Sequence, residues 1–322
     1  MLNLSLWTTT CSDARAGSVR GVSIDVQSVS KSFGSVRAVD DLSFSVPDGK
    51  VTGFLGPNGA GKSTTMRLML GLDRGTGRTL FDGRPLIDHP HASEVVGTHL
   101  DARPFLPGRT ARDHLRMLAT NAGVPSARVD EVLATVGLTD VARRRPKTFS
   151  LGMAQRLGLA GAILARPRAL MLDEPANGLD PQSIAWLREF LRHYAEAGNA
   201  VLVSSHLLSE MQQMADHVVV IARGKLIADG SIEELSASST DVFVRCSDAA
   251  ALADLLTRAG ATTTPEGSSG LAVTGMTTDE VGRAAFEAGI AVWELTLRRA
   301  SLEETFMQLT GEGQEFAFGE AS

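Results

Sequence analysis

The chain has 322 residues, 43% of them hydrophobic, which is enough to form one large domain and a smaller one. Its 31 basic and 37 acidic residues give a formal net charge of -6, so no large cationic field is present and no nucleic-acid partner is expected. The two cysteines, Cys11 and Cys246, are far apart in the sequence, which favours a reducing compartment. No apolar run approaches the roughly 18 residues of a membrane-spanning helix, so we expect a globular protein that does not cross a membrane by itself.

The amino-terminal segment 1–21 lacks both the basic stretch and the continuous apolar stretch of a secretory signal, and we interpret it as a flexible extension. From Val22 to about residue 235, short apolar strands alternate with helical stretches, which predicts an α/β domain with a sheet flanked by helices. Ligands of such sheets bind beyond the carboxyl ends of the strands, so the polar residues that follow the strands are candidate site residues.

The first motif in chain order is "GPNGAGKST", which stands between the strand-like "GKVTGFLG" at 49–56 and a helical stretch from Lys62. Its glycines allow backbone N–H groups to turn around phosphate oxygens, Lys62 supplies a positive charge, and Ser63 offers a hydroxyl to Mg²⁺. A chance glycine turn before a helix is the alternative. The candidate phosphate-binding residues are Gly56, Pro57, Asn58, Gly59, Ala60, Gly61, Lys62, Ser63 and Thr64.

The stretch "TFSLGMAQRLGLAGAIL" at 148–164 combines small and apolar residues. Within its own residues two interpretations remain open: an ordinary buried helix with a glycine-rich entry, or a helix start that meets a phosphate.

Two further strands, "ALMLDEP" at 169–175 and "AVLVSSH" at 200–206, are continuous apolar runs that end in polar residues, typical of strands buried on both faces. Asp173 and Glu174 are adjacent, and side chains alternate along a strand, so the two carboxylates are expected to differ in role. We expect Asp173 to help hold Mg²⁺, and Glu174 to orient or deprotonate a water molecule that attacks the phosphate. A helix cap or a solvated turn is the alternative for this pair.

A polar linker is predicted near residues 236–240, followed by a second domain at 241–312 and a tail at 313–322. The second domain is interpreted as strand "DVFVRC", helix "AAALADLLTRAG", strands "ATTT" and "LAVTG" around the loop "PEGSSG", helix "TDEVGRAAFEAG" and strand "AVWELTLR". The order βαββαβ predicts a small α+β domain of the ferredoxin-like kind.

With "GPNGAGKST", "LMLDEP", "NGLD" and "SSH" in this order, Val22 to about Gly230 resembles the ATP-binding subunit of ABC transporters. The resemblance implies a P-loop NTPase cassette at 22–235, with a mixed-sheet core and a helical subdomain at about 100–165. It also implies that the chain binds ATP with Mg²⁺, hydrolyses ATP to ADP and phosphate, and pairs with a second copy so that ATP lies between the two.

The resemblance assigns the segment 149–153 to the family signature LSGGQ, which reaches the nucleotide of the opposite subunit. Ser150 and Gly152 fit that pattern and are candidate nucleotide contacts. Phe149, Leu151 and Met153 depart from it.

Other residues carried over are Phe33, matching the aromatic that stacks on adenine, and Asp180, matching the loop that links the two sites. His206 matches the switch histidine near the γ-phosphate. Each has a structural alternative: Phe33 could be a core aromatic, Asp180 a helix N-cap before Pro181, and His206 a polar residue at a helix start. Where the family usually has a glutamine that binds Mg²⁺ or water, this chain has Asp101, a candidate metal ligand.

The ending "AVWELTLRRASLEETFMQLTG" is similar to that of drug- and antibiotic-exporting members, including the daunorubicin-resistance type. The resemblance implies an ATPase on the cytoplasmic face of the membrane that powers a separate permease, with residues 104–115 where the permease docks. The last domain would support dimerisation, regulate the ATPase, or only stabilise the chain. Alternatives are a soluble ABC-type clamp on nucleic acid or ribosomes and a P-loop small-molecule kinase.

Overall fold

The computed structural model describes residues 23–101, 105–106, 108–232, 234 and 240–299. The chain divides into two compact units, with the division between Gly230 and Ser231. The expected amino-terminal extension, most of the linker and the tail at 313–322 lie outside the described residues.

The first unit contains nine strands and seven α-helices among its described residues, together with three short 3-10 turns. In chain order these are β1 Ile24–Phe33, β2 Val36–Val46, β3 Val51–Leu55, α1 Lys62–Met69, β4 Thr76–Phe81, α2 Ala92–Val95, β5 Val96–His99, α3 Ala111–Asn121, α4 Ala127–Thr135, α5 Leu151–Ala162, β6 Ala169–Leu172, α6 Pro181–Glu196, β7 Ala200–Ser205, α7 Leu208–Met214, β8 His217–Ala222 and β9 Lys225–Ser231.

The central sheet has six strands in the order β5-β6-β7-β3-β8-β9. The pairs β5–β6, β6–β7, β7–β3 and β3–β8 are parallel, and every residue of β3, β6 and β7 is buried. Parallel strands are covered on both faces, which explains their continuous apolar sequences. Because Leu55 pairs with Ser205 and Leu172 pairs with Val203, the polar residues after β3, β6 and β7 emerge at one edge of the sheet.

A second sheet of the first unit is antiparallel, in the order β2-β1-β4. The two sheets share one apolar core, in which the rings of Phe44 and Phe54 stack with centroids 5.3 Å apart. The combination of parallel and antiparallel sheets around this core is the mixed-sheet core expected from the resemblance.

Helices α3, α4 and α5 follow β5 and provide the helical part of the unit. Their apolar faces are buried, with Leu115, Val132, Leu133 and Leu157 fully inaccessible to solvent. Two backbone hydrogen bonds, from Ala111 N to Arg144 O and from Arg112 N to Ala142 O, hold the start of α3 against the segment that precedes α5.

The second unit contains β10 Thr240–Cys246, α8 Ala249–Arg258, β11 Thr262–Glu266, β12 Gly270–Thr274, α9 Thr278–Glu287 and β13 Val292–Arg299. Its strands form an antiparallel sheet in the order β11-β12-β10-β13, and helices follow the first and third strands, which gives the predicted βαββαβ order. The helices cover the face that carries Val242, Val244 and Val273.

One boundary in the second unit differs from the prediction. The loop expected at 265–270 is only 267–269, because Glu266 pairs with Gly270 and so extends both strands. Gly267 adopts a φ of 69°, which lets the chain reverse within three residues. Among all the described residues, no helix is both long and apolar enough to cross a bilayer.

Candidate functional site

The glycine loop, residues 56–61, connects β3 to the start of α1. Gly59 and Gly61 have φ values of 82° and 106°, conformations that other residues rarely adopt. A side chain at Gly61 would also place its Cβ 2.5 Å from the carbonyl oxygen of Ala38. Because α1 begins at Lys62, its first backbone N–H groups lack partners within the helix and face the loop, an arrangement suited to a phosphate.

Lys62 is buried at the base of this loop, with 6% of its side chain exposed. Its Nζ donates to the carbonyl oxygen of Gly56 at 2.6 Å and lies 3.3 Å from Oε1 of Glu174. The glycine loop after β3 and the acidic residues after β6 therefore meet at the edge of the sheet, as the parallel strand register requires. Ser63, on the next position of α1, is exposed.

Asp173 and Glu174 follow β6 rather than lying within it, since the strand ends at Leu172. The alternation of side chains along a strand is therefore not what separates them. Glu174 has a φ of 48°, an uncommon value for a residue with a side chain. Its backbone N–H donates to Ser204 Oγ at 2.8 Å, and the same hydroxyl donates to Oδ1 of Asp173, so one serine of β7 orders both acidic residues.

His206 lies directly after β7, with 31% of its side chain exposed. Its Nδ1–H donates to Oε2 of Glu174 at 2.9 Å. Lys62 and His206 thus contact different oxygens of the same carboxylate. The structure brings together these three residues of the sequence prediction, which follow the carboxyl ends of three neighbouring strands, β3, β6 and β7.

The segment 149–153 marks the start of α5. Ser150 is the N-cap, and its Oγ accepts from the backbone N–H of Met153 at 3.3 Å. Ser150 is exposed, while the remainder of α5 packs inward through Ala154, Leu157 and Leu159. The segment is therefore a largely buried helix whose first turn is exposed, and its contact with a phosphate stays a prediction.

Asp180 caps α6, accepting from the backbone N–H of Ser183 at 2.8 Å, with Pro181 at the first helical position. This bond to the backbone of Ser183 holds the pKa of the Asp180 carboxyl below its usual range. Within this chain, Asp180 therefore acts as a helix N-cap. Its contact with a second copy stays a prediction.

Two further candidates of the sequence prediction, Phe33 and Asp101, are both exposed. Phe33 ends β1, is 54% exposed and lies under the ammonium group of Lys31, which is 4.9 Å from the ring centroid. Asp101 follows β5 and is exposed. Its negative charge reaches His99, where it opposes the effect of burial, which lowers the pKa of that histidine.

The donor set fits a magnesium nucleotide. In the described parts of the chain, no group of three or more His, Cys, Asp and Glu side chains could hold a metal ion by itself. Mg²⁺ is commonly held by one or two protein oxygens together with phosphates and water, and Asp173 and Ser63 supply such oxygens. At this place the ion would neutralise phosphate charge.

Sequence reasoning missed Ser204, which is fully buried and orders both Asp173 and Glu174. The signal was available in the pair of serines that ends the apolar strand before His206, because a hydroxyl inside a buried strand needs a partner. It also missed His99, whose Nε2–H donates to Oε1 of Gln155 and whose ring lies against Gly158 of α5.

Comparison with known proteins supplies independent findings. A family model described as ABC transporter matches residues 39–177, and a model described as a domain of unknown function matches residues 240–303. The ABC transporter ATP-binding protein YhcH of Bacillus subtilis (strain 168) is 36% identical over 310 residues, covering 91% of this chain and 97% of its own length.

Two further matches cover most of the chain and about two thirds of it, respectively. The daunorubicin resistance ATP-binding protein DrrA3 of Streptomyces coeruleorubidus is 34% identical over 306 residues, covering 90% of this chain and 96% of its own. A solved structure of an ATP-binding subunit of an ABC transporter superposes with a TM-score of 0.61 at 27% identity, covering 66% of this chain and 92% of that one.

Proposed function

The chain belongs to the family of ABC transporter ATP-binding subunits and is an ATPase, and we propose that it powers a separate membrane permease that exports a drug, an antibiotic or another hydrophobic compound. The observation that carries this proposal is the convergence of Lys62 and His206 on the carboxylate of Glu174 at the edge of the sheet. The export of a drug is supported by the likeness to DrrA3 along nearly its whole length.

In the proposed reaction, the β- and γ-phosphates of ATP lie in the glycine loop, and the ammonium group of Lys62 exchanges the carbonyl of Gly56 for phosphate oxygens. Glu174 is placed to orient an attacking water and accept its proton. His206 holds one oxygen of that carboxylate and offers its ring to the transferring phosphoryl group. Ser63 and Asp173 would hold Mg²⁺, with Asp101 as a further ligand, and the ion would neutralise phosphate charge.

A second copy of the chain would complete the site. Ser150 is exposed at the start of α5, and a hydroxyl at a helix N-terminus is well suited to a phosphate held by another molecule. Gly152 follows Ser150 by two residues in the first turn of α5 and, lacking a side chain, is proposed to let the backbone approach the nucleotide closely. Asp180 and Phe33 are assigned to the interface between copies and to the adenine, respectively.

We place the ATPase on the cytoplasmic face of the membrane through its contact with the permease, with residues 104–115 at that contact. The second unit is proposed to support dimerisation or regulation. A clamp on nucleic acid or ribosomes is less well supported, because the acidic chain has a single glycine loop and closely matches transporter subunits.

Phosphate release from ATP by the purified chain separates the candidate functions. We expect release that Lys62→Ala abolishes, that RNA and ribosomes leave unchanged, and that a co-reconstituted permease stimulates. Stimulation by ribosomes alone would favour the clamp, and a phosphorylated metabolite with no free phosphate would favour a kinase. Accumulation of a hydrophobic drug inside inverted vesicles, only with ATP and both subunits, would test export itself.

A further inference from the structure

Leu151 occupies the position where the LSGGQ pattern has its first glycine, and its side chain contacts the loop that follows the catalytic glutamate. A Cβ built on Gly178 would lie 2.4 Å from Cδ2 of Leu151, so the leucine packs directly against the backbone of Gly178. Gly178 has a φ of 70°, and the absence of a side chain there makes this approach possible.

Further contacts extend from Leu151 along the same face of α5. An added Cβ on Gly152 would lie 3.6 Å from Cδ2 of Leu179 and 3.5 Å from Oγ of Ser183. One turn later, the guanidinium of Arg156 stacks over the ring of Trp186 on α6, 4.5 Å from its centroid. The start of α5 therefore lies against both the loop 174–180 and the first turns of α6.

The loop 174–180 is short and bonded to itself. The backbone N–H of Asn177 donates to the carbonyl of Glu174 at 3.1 Å, and the N–H of Leu179 donates to the carbonyl of Ala176 at 3.1 Å. The loop ends at Asp180, which is fixed as the cap of α6. These hydrogen bonds therefore connect the backbone around Gly178 to Glu174 within four residues.

We propose that Leu151 is a positioning residue that couples the exposed Ser150 to the loop carrying Glu174 within one copy of the chain. The inference rests on the proposed two-copy site, in which Ser150 serves the nucleotide of the partner while Glu174 serves the chain's own nucleotide. Leu151 then links the two sites: binding of a phosphate at Ser150 moves the leucine, which moves the loop 174–180 through Gly178. A glycine at position 151 has no side chain with which to make this contact.

This role makes a distinctive kinetic prediction. Leu151→Ala should lower kcat about fivefold to tenfold, as expected for removal of a direct coupling contact, while the KM for ATP changes less than about twofold. The Hill coefficient for ATP should fall towards 1, because the coupling between the sites is what the substitution removes. Leu151→Met conserves volume and should restore at least about half of the wild-type kcat.

A double-mutant cycle tests the contact itself. Asn tolerates the left-handed backbone of Gly178 but adds a Cβ that clashes with Leu151. Gly178→Asn should therefore lower kcat about tenfold in the wild type, and about twofold in the Leu151→Ala background, where the space is free. Leu72→Ala, a substitution at a leucine that is 59% exposed, is the matched control and should leave kcat unchanged.

The outcomes separate this inference from the proposed function. Thermal unfolding of each variant identifies any loss of fold, and nucleotide binding confirms an intact glycine loop. Strictly additive effects in the cycle, or a Leu151→Ala variant with wild-type kcat and Hill coefficient, would overturn the coupling role. An inactive wild type that binds ATP but never pairs would instead contradict the two-copy site.

Discussion

The Nδ1–H of His206 donates to Oε2 of Glu174 at 2.9 Å, while the second oxygen of the same carboxylate lies 3.3 Å from Nζ of Lys62. The glutamate is therefore held between a histidine and the lysine assigned to the phosphates. In the proposed mechanism, binding of ATP draws Lys62 towards phosphate oxygens, and we expect this to release Oε1 for a water molecule. This exchange links occupancy of the glycine loop to the availability of the proposed base.

Glu174→Gln tests the assignment of the base. The amide keeps the shape of the side chain but does not accept a proton, so we expect hydrolysis to fall about 100-fold or more. Nucleotide affinity should be retained, and light scattering should detect a dimer with ATP and Mg²⁺ that is absent with ADP. A variant that hydrolyses ATP at the wild-type rate would remove Glu174 from the mechanism, and one that stays monomeric would contradict the two-copy site.

His206→Ala should lower kcat about tenfold to 100-fold with a smaller effect on the KM for ATP, because the ring is proposed to stabilise charge that develops on the transferring oxygens. Single-turnover hydrolysis measures the chemical step directly. His217→Ala is a suitable control, since His217 pairs with Asp229 at the start of β8, outside the site. An equal decrease of kcat in both variants would indicate a general effect on folding rather than on the chemical step.

Ser204→Ala tests the residue that sequence reasoning missed. It removes the hydrogen bonds to Asp173 and to the backbone of Glu174, and should reduce the free energy of unfolding by about 1–2 kcal/mol. We also expect kcat to fall about tenfold, since the two carboxylates lose their common support. The adjacent Ser205→Ala is the matched control: Ser205 bonds to Leu207 and Glu210 instead, and its loss should leave kcat nearly unchanged.

The glycine loop could be predicted from local sequence, because the nine consecutive residues of "GPNGAGKST" contain all the information that specifies a turn of small residues before a helix. The roles of Ser204 and Leu151 depend instead on tertiary register. The parallel pairing of Leu172 with Val203 places Asp173 beside Ser204, and no local pattern states which strands are neighbours. Likewise, contact between Leu151 and Gly178 requires α5 to lie along the loop 174–180.

The ends of elements were the other source of error. The sequence placed Asp173 and Glu174 on a strand, but β6 ends at Leu172, before both of them, and Glu174 has a left-handed backbone. In the second unit, the short loop at 267–269 replaces a longer predicted one because the strand pairing continues through Glu266 and Gly270. Hydrogen bonds across the sheet decide both ends, and neither is visible in the composition of the segment.

His114 on α3 should make the first unit sensitive to acid. Its side chain is 5% exposed, and burial together with the positive charge of Arg109 lowers the pKa of the imidazole. The unfolded chain, with an ordinary histidine pKa near 6.5, then binds protons that the folded chain does not, so stability falls as the pH drops below about 6.5. Urea unfolding at pH 7 and pH 5 should show that the free energy of unfolding falls less with acidification in His114→Leu than in the wild type. The exposed His91→Leu should behave as the wild type, and equal losses in all three proteins would exclude His114 as the source.

Asp101→Gln addresses the departure from the family pattern. Asp101 is exposed after β5, and its charge acts on the buried His99, whose ring contacts α5. If the carboxylate is a magnesium ligand, replacing it with the weaker amide should raise the Mg²⁺ concentration for half-maximal ATPase activity about threefold or more. Asp229→Asn is the matched control, since Asp229 pairs with His217 outside the site and its replacement should not alter the Mg²⁺ requirement. An unchanged Mg²⁺ requirement with altered stimulation by the permease would assign Asp101 to coupling instead, and no change in either measurement would mean that the aspartate is functionally silent.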